Sequence, residues 1–132
     1  MEEKYARPTF RKAERLCGKK EVEELFKQGN VLFVHPVKAI YLLKPKNEAP
    51  SLQLLISVPK KYLKRAVDRN RMKRLIREIY RQAKGPVMQS LDRLQIHMNL
   101  ALIYTGRQLS DYGEMETAVT NILRQLENIP KG

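Results

Sequence analysis

The sequence predicts a single α+β domain, with amphipathic helices packed on one small sheet. Three observations lead there. Residues 72–83 and 115–126 each place apolar side chains at i, i+3, i+4, i+7, i+8 and i+11, the period of a helix with one buried side. Residues 95–104 alternate in the manner of a strand, and 31–44 and 52–58 are rich in Val, Ile, Leu and Tyr. The 132 residues, 42% of them hydrophobic, suffice for one core and fall short of two.

The elements follow in order. Residues 1–15 are polar and basic, contain Pro8, and read as a mobile or lightly docked arm. A first helix is expected over about 19–28, where Val22, Leu25 and Phe26 form a short stripe. Gly29-Asn30 stops it. Residues 31–44 suit a strand bent at Pro36. The run from Pro45 to Pro50 is a turn, and 52–58 a second, buried strand closed by Pro59. These two strands are expected to form a hairpin.

A long helix over 67–83 comes next. Met72, Leu75, Ile76, Ile79, Tyr80 and Ala83 make its apolar side, with Asn70, Lys73, Arg74, Arg77 and Arg81 opposite. Gly85-Pro86 breaks it, and 87–94 adds a turn or two. In the strand at 95–104, Ile96, Met98, Leu100, Leu102 and Tyr104 share one face, and His97, Asn99, Ala101 and Ile103 the other. Ser110 or Asp111 is placed to cap the last helix. The strands flanking the basic helix are candidates for parallel neighbours.

Composition excludes several classes. One cysteine, Cys17, permits no intramolecular disulfide. No run approaches the roughly 18 apolar residues of a membrane span. The opening Met1-Glu2-Glu3-Lys4 lacks a secretory pattern, so a cytoplasmic protein is expected.

Charge is the dominant global signal. Lys and Arg number 26 against 14 Asp and Glu, a formal net charge of +12. Residues 60–84 alone hold eleven cations and two anions, Asp68 and Glu78, a net of +9. A patch this localised argues for a polyanion-binding surface, and nucleic acid is the usual polyanion. A membrane-surface module, with the apolar stripe of 67–83 entering lipid, is the rival from another class.

No catalytic constellation stands out. His35 and His97 lack ligand spacing, Cys17 has no CxxC partner, and no phosphate-binding glycine loop occurs. The basic helix is the strongest candidate site. Arginine can bond phosphates bidentately and stack on bases. Asn70, between two arginines, could reach a phosphate oxygen, a base edge or a 2′-hydroxyl. Phe26 and Tyr41 are the aromatics best placed to stack on a base.

At this helix the sequence resembles a known family. Ser57-Val58-Pro59-Lys60-Lys61, then Ala66-Val67-Asp68-Arg69-Asn70-Arg71-Met72-Lys73-Arg74-Leu75-Ile76-Arg77-Glu78, is similar to the signature of the bacterial ribonuclease P protein subunit, S-V-x-K-K followed by A-V/H-x-R-N-R-x-K-R-x-x-R-E. Arg15-Leu16, Phe26, Lys27 and Gly29 resemble the family's first helix and its closing glycine.

The resemblance implies a four-stranded, mainly antiparallel sheet with about three helices, like ribosomal S5 domain 2. It also implies a left-handed βαβ crossover through the basic helix. The implied function is 5′ maturation of precursor tRNA, with the phosphodiester hydrolysed by a catalytic RNA using Mg2+ and no metal motif in the protein. Arg69, Asn70, Arg71, Lys73, Arg74 and Arg77 match the contacts to the catalytic RNA. Lys60, Lys61, Phe26 and Val22, the last in place of an aromatic, match a cleft for the 5′ leader, and Tyr41 is expected there too. The implied protein is monomeric within a ribonucleoprotein and touches no membrane. The alternative is a ribosomal or other structural RNA-binding protein.

Overall fold

The computed structural model describes residues 12–129. Four strands form one sheet: β1 (Asn30–Val34), β2 (Val37–Pro45), β3 (Leu52–Ser57) and β4 (Ile96–Tyr104). Their order is β1-β2-β4-β3. The β1–β2 and β2–β4 pairs are antiparallel, and β3 runs parallel to β4. Four helices accompany the sheet: α1 (Lys19–Gln28), α2 (Ala66–Ala83), α3 (Gly85–Leu94) and α4 (Tyr112–Asn128). The architecture is the expected α+β sheet, with four helices rather than about three. The turn or two foreseen at 87–94 is a ten-residue helix, started by Pro86 in its first turn.

β4 sits inside the sheet, between β2 and β3, and is buried on both sides. Met98, Leu100, Leu102 and Tyr104 join Val37, Ala39, Leu52 and Leu54 in the main core. That core is closed by Met72, Ile76, Ile79 and Tyr80 of α2, by Val87, Met88 and Leu91 of α3, and by the apolar stripe of α4. On the opposite face Ala101 and Ile40 pack with Leu25 of α1 and Leu16, flanked by Val22, Leu42, Leu55 and Ile103.

The expected hairpin between residues 31–44 and 52–58 does not form. The run 31–44 itself folds in two at His35-Pro36, whose peptide bond is cis, and pairs Val34 with Val37. β2 and β3 are then held apart by β4, which alone among the strands has both faces buried along most of its length.

The arm expected over 1–15 is described only from residue 12. Residues 1–11 lie outside the described part of the chain. Residues 12–16 are docked: Lys12–Glu14 form a 3-10 turn, Arg15 bridges to Leu54, and Leu16 N–H donates to the Leu54 carbonyl at 2.9 Å. The exposed edge of β3 is thereby covered. Glu14 ion-pairs with Lys84, both nearly buried.

Helix ends follow their residue types. Asp111 Oδ1 accepts from Glu114 N–H at 2.8 Å and caps α4. Gly29 ends α1 with ordinary negative φ, so its value is space. A Cβ there would lie 2.5 Å from both Ile40 Cγ2 and the Leu25 carbonyl. Gly29→Ala should therefore lower unfolding free energy by about 1–3 kcal/mol in urea titration, since α1 must lift from the sheet.

Tyr80 is fully buried. Burial, reinforced by the Glu14 carboxylate, pushes its phenol well above the ordinary value of 10.0. The unfolded phenol ionises first, so the folded state holds its proton longer. Stability is complete below about pH 10 and falls as pH rises beyond it, by about 1.4 kcal/mol per pH unit at most. Tyr80→Phe should remove that part of the alkaline slope in pH-dependent melts.

Candidate nucleic-acid interface

α2 is sorted by its period. Its buried side carries Met72, Ile76, Ile79 and Tyr80. These side chains are core, so no apolar stripe remains for lipid, and no described helix is long and apolar enough to cross a membrane. Asn70 lies three and four residues before Lys73 and Arg74, Arg77 four and three after them, and Arg81 four further on, so the five share a face. Asn70 and Arg74 are exposed, while Lys73, Arg77 and Arg81 are half-buried. Arg77 packs closely enough that its Nε is buried without a hydrogen-bond partner.

The acidic counterpart on this helix is small. Glu78 accepts from Arg81 at 2.6 Å and from Gln82 at 2.6 Å. The Arg81 hydrogen bond, with that from Gln82, holds its carboxyl below the usual carboxylate range. The exposed pair is a weak tie and involves neither Asn70 nor Arg74.

The three residues Arg69-Asn70-Arg71 point different ways. Asn70 belongs to the basic face. Arg71 is exposed on the flank shared with Leu75 and Glu78. Arg69 lies three and seven residues before Met72 and Ile76, on the core side. Its Nη1 donates to the carbonyls of Leu63 at 3.0 Å and Lys64 at 2.8 Å. Arg69, expected among the contacts to the catalytic RNA, thus also ties the loop 58–65 to α2. That loop carries Lys60, Lys61, Lys64 and Arg65, all exposed. Val58 and Leu63, at its two ends, are anchored in the core.

The second surface is the sheet face under α1. Phe26 is 47% exposed on α1, while Val22, half-buried, packs with Leu25 in the cluster that Leu55 and Ile103 also flank. Tyr41 does not join them. Strand alternation puts Tyr41 with Leu100 on the main-core face, and its neighbour Ile40 faces α1. A shift of one residue in a strand exchanges the faces. Lys38 and Leu42 lie on the α1 face with Ile40.

Sequence reasoning also missed Tyr62. Its ring lies 5.1 Å from Lys61 Nζ and 5.7 Å from the Arg107 guanidinium carbon. An aromatic inside a lysine-rich loop was the available signal. Among the described residues no group of three His, Cys, Asp or Glu could hold a metal ion.

Fold and site together define a small α+β protein with a strongly basic helix on one face of its sheet and a partly open apolar face on the other. Residues 10–127 match the family model described as Ribonuclease P. The chain is 35% identical over 120 residues to the ribonuclease P protein component of Porphyromonas gingivalis, covering 90% of this chain and 88% of that one. It is 32% identical to that of Chlorobium phaeobacteroides, covering 92% and 88%. The fold matches the ribonuclease P protein of Thermotoga maritima with a TM-score of 0.66 at 24% identity, over 85% of this chain and 96% of the other. The chain belongs to the ribonuclease P protein family.

Arg69 and Arg74 should separate in their effects. Arg69→Ala should lower stability by about 1–2 kcal/mol, because two loop carbonyls lose a charged donor. Arg74→Ala should leave the melting temperature unchanged. It should weaken RNA binding and reduce the slope of log Kd against log salt by about 1. Thermal melts and binding titrations across salt concentrations read both.

Proposed function

We propose that the protein is the RNA-binding subunit of ribonuclease P, supporting the 5′ maturation of precursor tRNA. The observation that carries this reading is the α2 face: Asn70, Lys73, Arg74 and Arg77, four motif positions in one row, with the helix's Glu78 engaged elsewhere, by Arg81 and Gln82. Cations spaced along a rigid helix neutralise successive phosphates and release their counterions. Arg71 and the loop lysines extend the basic surface around the start of the helix.

In this reading the catalytic RNA hydrolyses the phosphodiester, and Mg2+ enters through that RNA. The protein contributes charge and shape. The α2 face and Arg71 hold the catalytic RNA. The α1 face, with Phe26 as a stacking surface and Val22 and Ile40 beside it, receives the single-stranded 5′ leader, which Lys60 and Lys61 attract electrostatically. Arg69 acts on RNA through the loop that it positions. Base–aromatic stacking is worth about 1–3 kcal/mol per base.

Reconstitution tests the reading. Purified protein, mixed with a bacterial ribonuclease P RNA at low Mg2+, should stimulate 5′ cleavage of a precursor tRNA. Failure to stimulate a cognate RNA that the protein still binds would favour a structural RNA-binding role. Phe26 is exposed, so Phe26→Ala leaves no cavity. It should weaken precursor tRNA binding by the holoenzyme about 5- to 100-fold and leave mature tRNA binding unchanged. Equal losses for the two would remove Phe26 from leader recognition.

A further inference from the structure

The sheet has two edges, and the chain treats them differently. The β3 edge is covered by Arg15 and Leu16, the latter bonded to the Leu54 carbonyl. The β1 edge has no such cover among the described residues.

The register of β1 shows which groups lie open. Val34 and Val37 close a two-residue turn and form a hydrogen-bonded pair. Bonded and non-bonded pairs alternate along an antiparallel ladder. Leu32 and Asn30 therefore bond to β2, while the N–H and C=O groups of Val31 and Phe33 point out of the sheet. The side chains of the same two residues are 56% and 57% exposed. They stand on the face of Ile40 and Lys38, their partners on β2. His35 steadies the Phe33 ring by an edge-to-face contact, with centroids 6.1 Å apart.

Charge decides what this edge accepts. Residues 30–36 contain no Lys, Arg, Asp or Glu, in a chain of net charge +12. The nearest cation along the ladder is Lys38, half-buried and on the inner side of Phe33, away from the edge. α4 also packs on β1. Its Thr120, Leu123, Arg124 and Glu127 line a groove against Ala83, Pro86 and Val87 of α2 and α3. The helical period then turns the exposed Glu114, Asn121 and Gln125 toward the β1 side. Gln125 donates to Asn121 there at 3.0 Å. This flank holds no cation either, so RNA finds no row of phosphate partners along it. Two copies of so basic a chain approach most easily across a surface of this kind.

We propose that two copies of the free chain pair antiparallel through β1. With Leu32 on the two-fold axis, Val31 of each copy lies opposite Phe33 of the other. The outward backbone groups then meet as two hydrogen-bonded pairs, and the side chains as two Val–Phe cross-strand pairs. An axis normal to the sheet keeps both helical layers on one side. It sets the two α4 flanks side by side and leaves the α2 basic faces outside the contact. The pairing caps an edge that is otherwise open to any strand. A five-residue strand and one helix flank bury about 1,000 Å², the lower limit of a specific interface, so the dimer is weak. It is independent of the RNA-binding reading and concerns the free chain, whereas the family resemblance implies a monomer within the ribonucleoprotein.

Sedimentation equilibrium of the full chain, over roughly 1–500 µM, tests the pairing. The mass should climb from 15.5 kDa towards twice that value with concentration. It should climb further at high salt, which screens the net charge. RNA binding has the opposite salt dependence. Over the same range, hydrogen exchange at the Val31 and Phe33 amides should slow about fivefold. The Leu32 amide, bonded to β2, should be protected at every concentration.

Phe33→Lys should hold the protein at 15.5 kDa and leave the melting temperature of the dilute chain unchanged, since the side chain is exposed. Val31→Lys repeats the test if Phe33→Lys does not fold. Val67→Lys adds the same charge at the start of α2, where Val67 is 60% exposed, and should leave the self-association intact. A wild type that stays monomeric at every concentration and salt would overturn the proposal. That includes a monomer whose Val31 and Phe33 amides are already protected, as when residues outside 12–129 cover the edge. Self-association that survives the β1 substitutions, or that Val67→Lys abolishes equally, would overturn it too.

Discussion

The burial of β4 on both faces is the constraint from which the rest follows. A strand with Met98, Leu100, Leu102 and Tyr104 on one side and Ala101 and Ile103 on the other needs cover above and below. α2, α3 and α4 supply it on one side. α1 and Leu16 supply it on the other, incompletely, since Leu42, Leu55 and Ile103 stay partly covered. The asymmetry of that cover creates the two surfaces. The fully covered face turns the polar side of α2 outward, and the incompletely covered face keeps an apolar floor within reach of a stacking partner.

The placement of α2 explains how so many like charges are tolerated. Cations at i, i+3 and i+4 destabilise an isolated helix by tenths of a kcal/mol per pair. Here the opposite side of the helix buries Met72, Ile76, Ile79 and Tyr80, each removed from water almost completely. Burying one such side chain is worth about 1.5–3 kcal/mol, so tertiary packing outweighs the repulsion several times over. A polyanion that binds this face relieves the repulsion as well as gaining its own contacts. Such binding weakens steeply with salt.

Much of this was legible in the sequence, and the failures have physical causes. Helices announced themselves through long 3.6-residue periods: 19–28 matches Lys19–Gln28, and 67–83 matches Ala66–Ala83 to one residue. The parallel pairing of the strands around α2 was legible too. The His35-Pro36 reversal was not, because apolar residues on both sides of it read as one strand. Tyr41 was misplaced because strand faces depend on register, and no sequence signal fixes register to one residue across a hidden turn. The loop-tying bonds of Arg69 were not legible, because an arginine in a basic run looks like its neighbours. Only the carbonyls of Leu63 and Lys64, brought back by the loop, give it a different task.

The Glu14–Lys84 pair joins these threads. Lys84 stands where α2 ends and α3 begins, and its ammonium also lies 5.9 Å from the Tyr80 ring. A buried ion pair adds little stability over an apolar replacement, but breaking it by removing one partner costs about 3–5 kcal/mol. Its structural value is therefore positional. It pins residues 12–16 beside β3, so that Arg15 bridges to Leu54 and Leu16 reaches the α1 core. The next residues, Cys17 and Gly18, then line a cavity between the start of α1 and the strand ends, with the Glu21 carboxylate folded against Gly18. An ion pair made on the α2 side of the molecule thus shapes the surface on the α1 side, through a segment whose composition alone suggested a mobile or lightly docked arm.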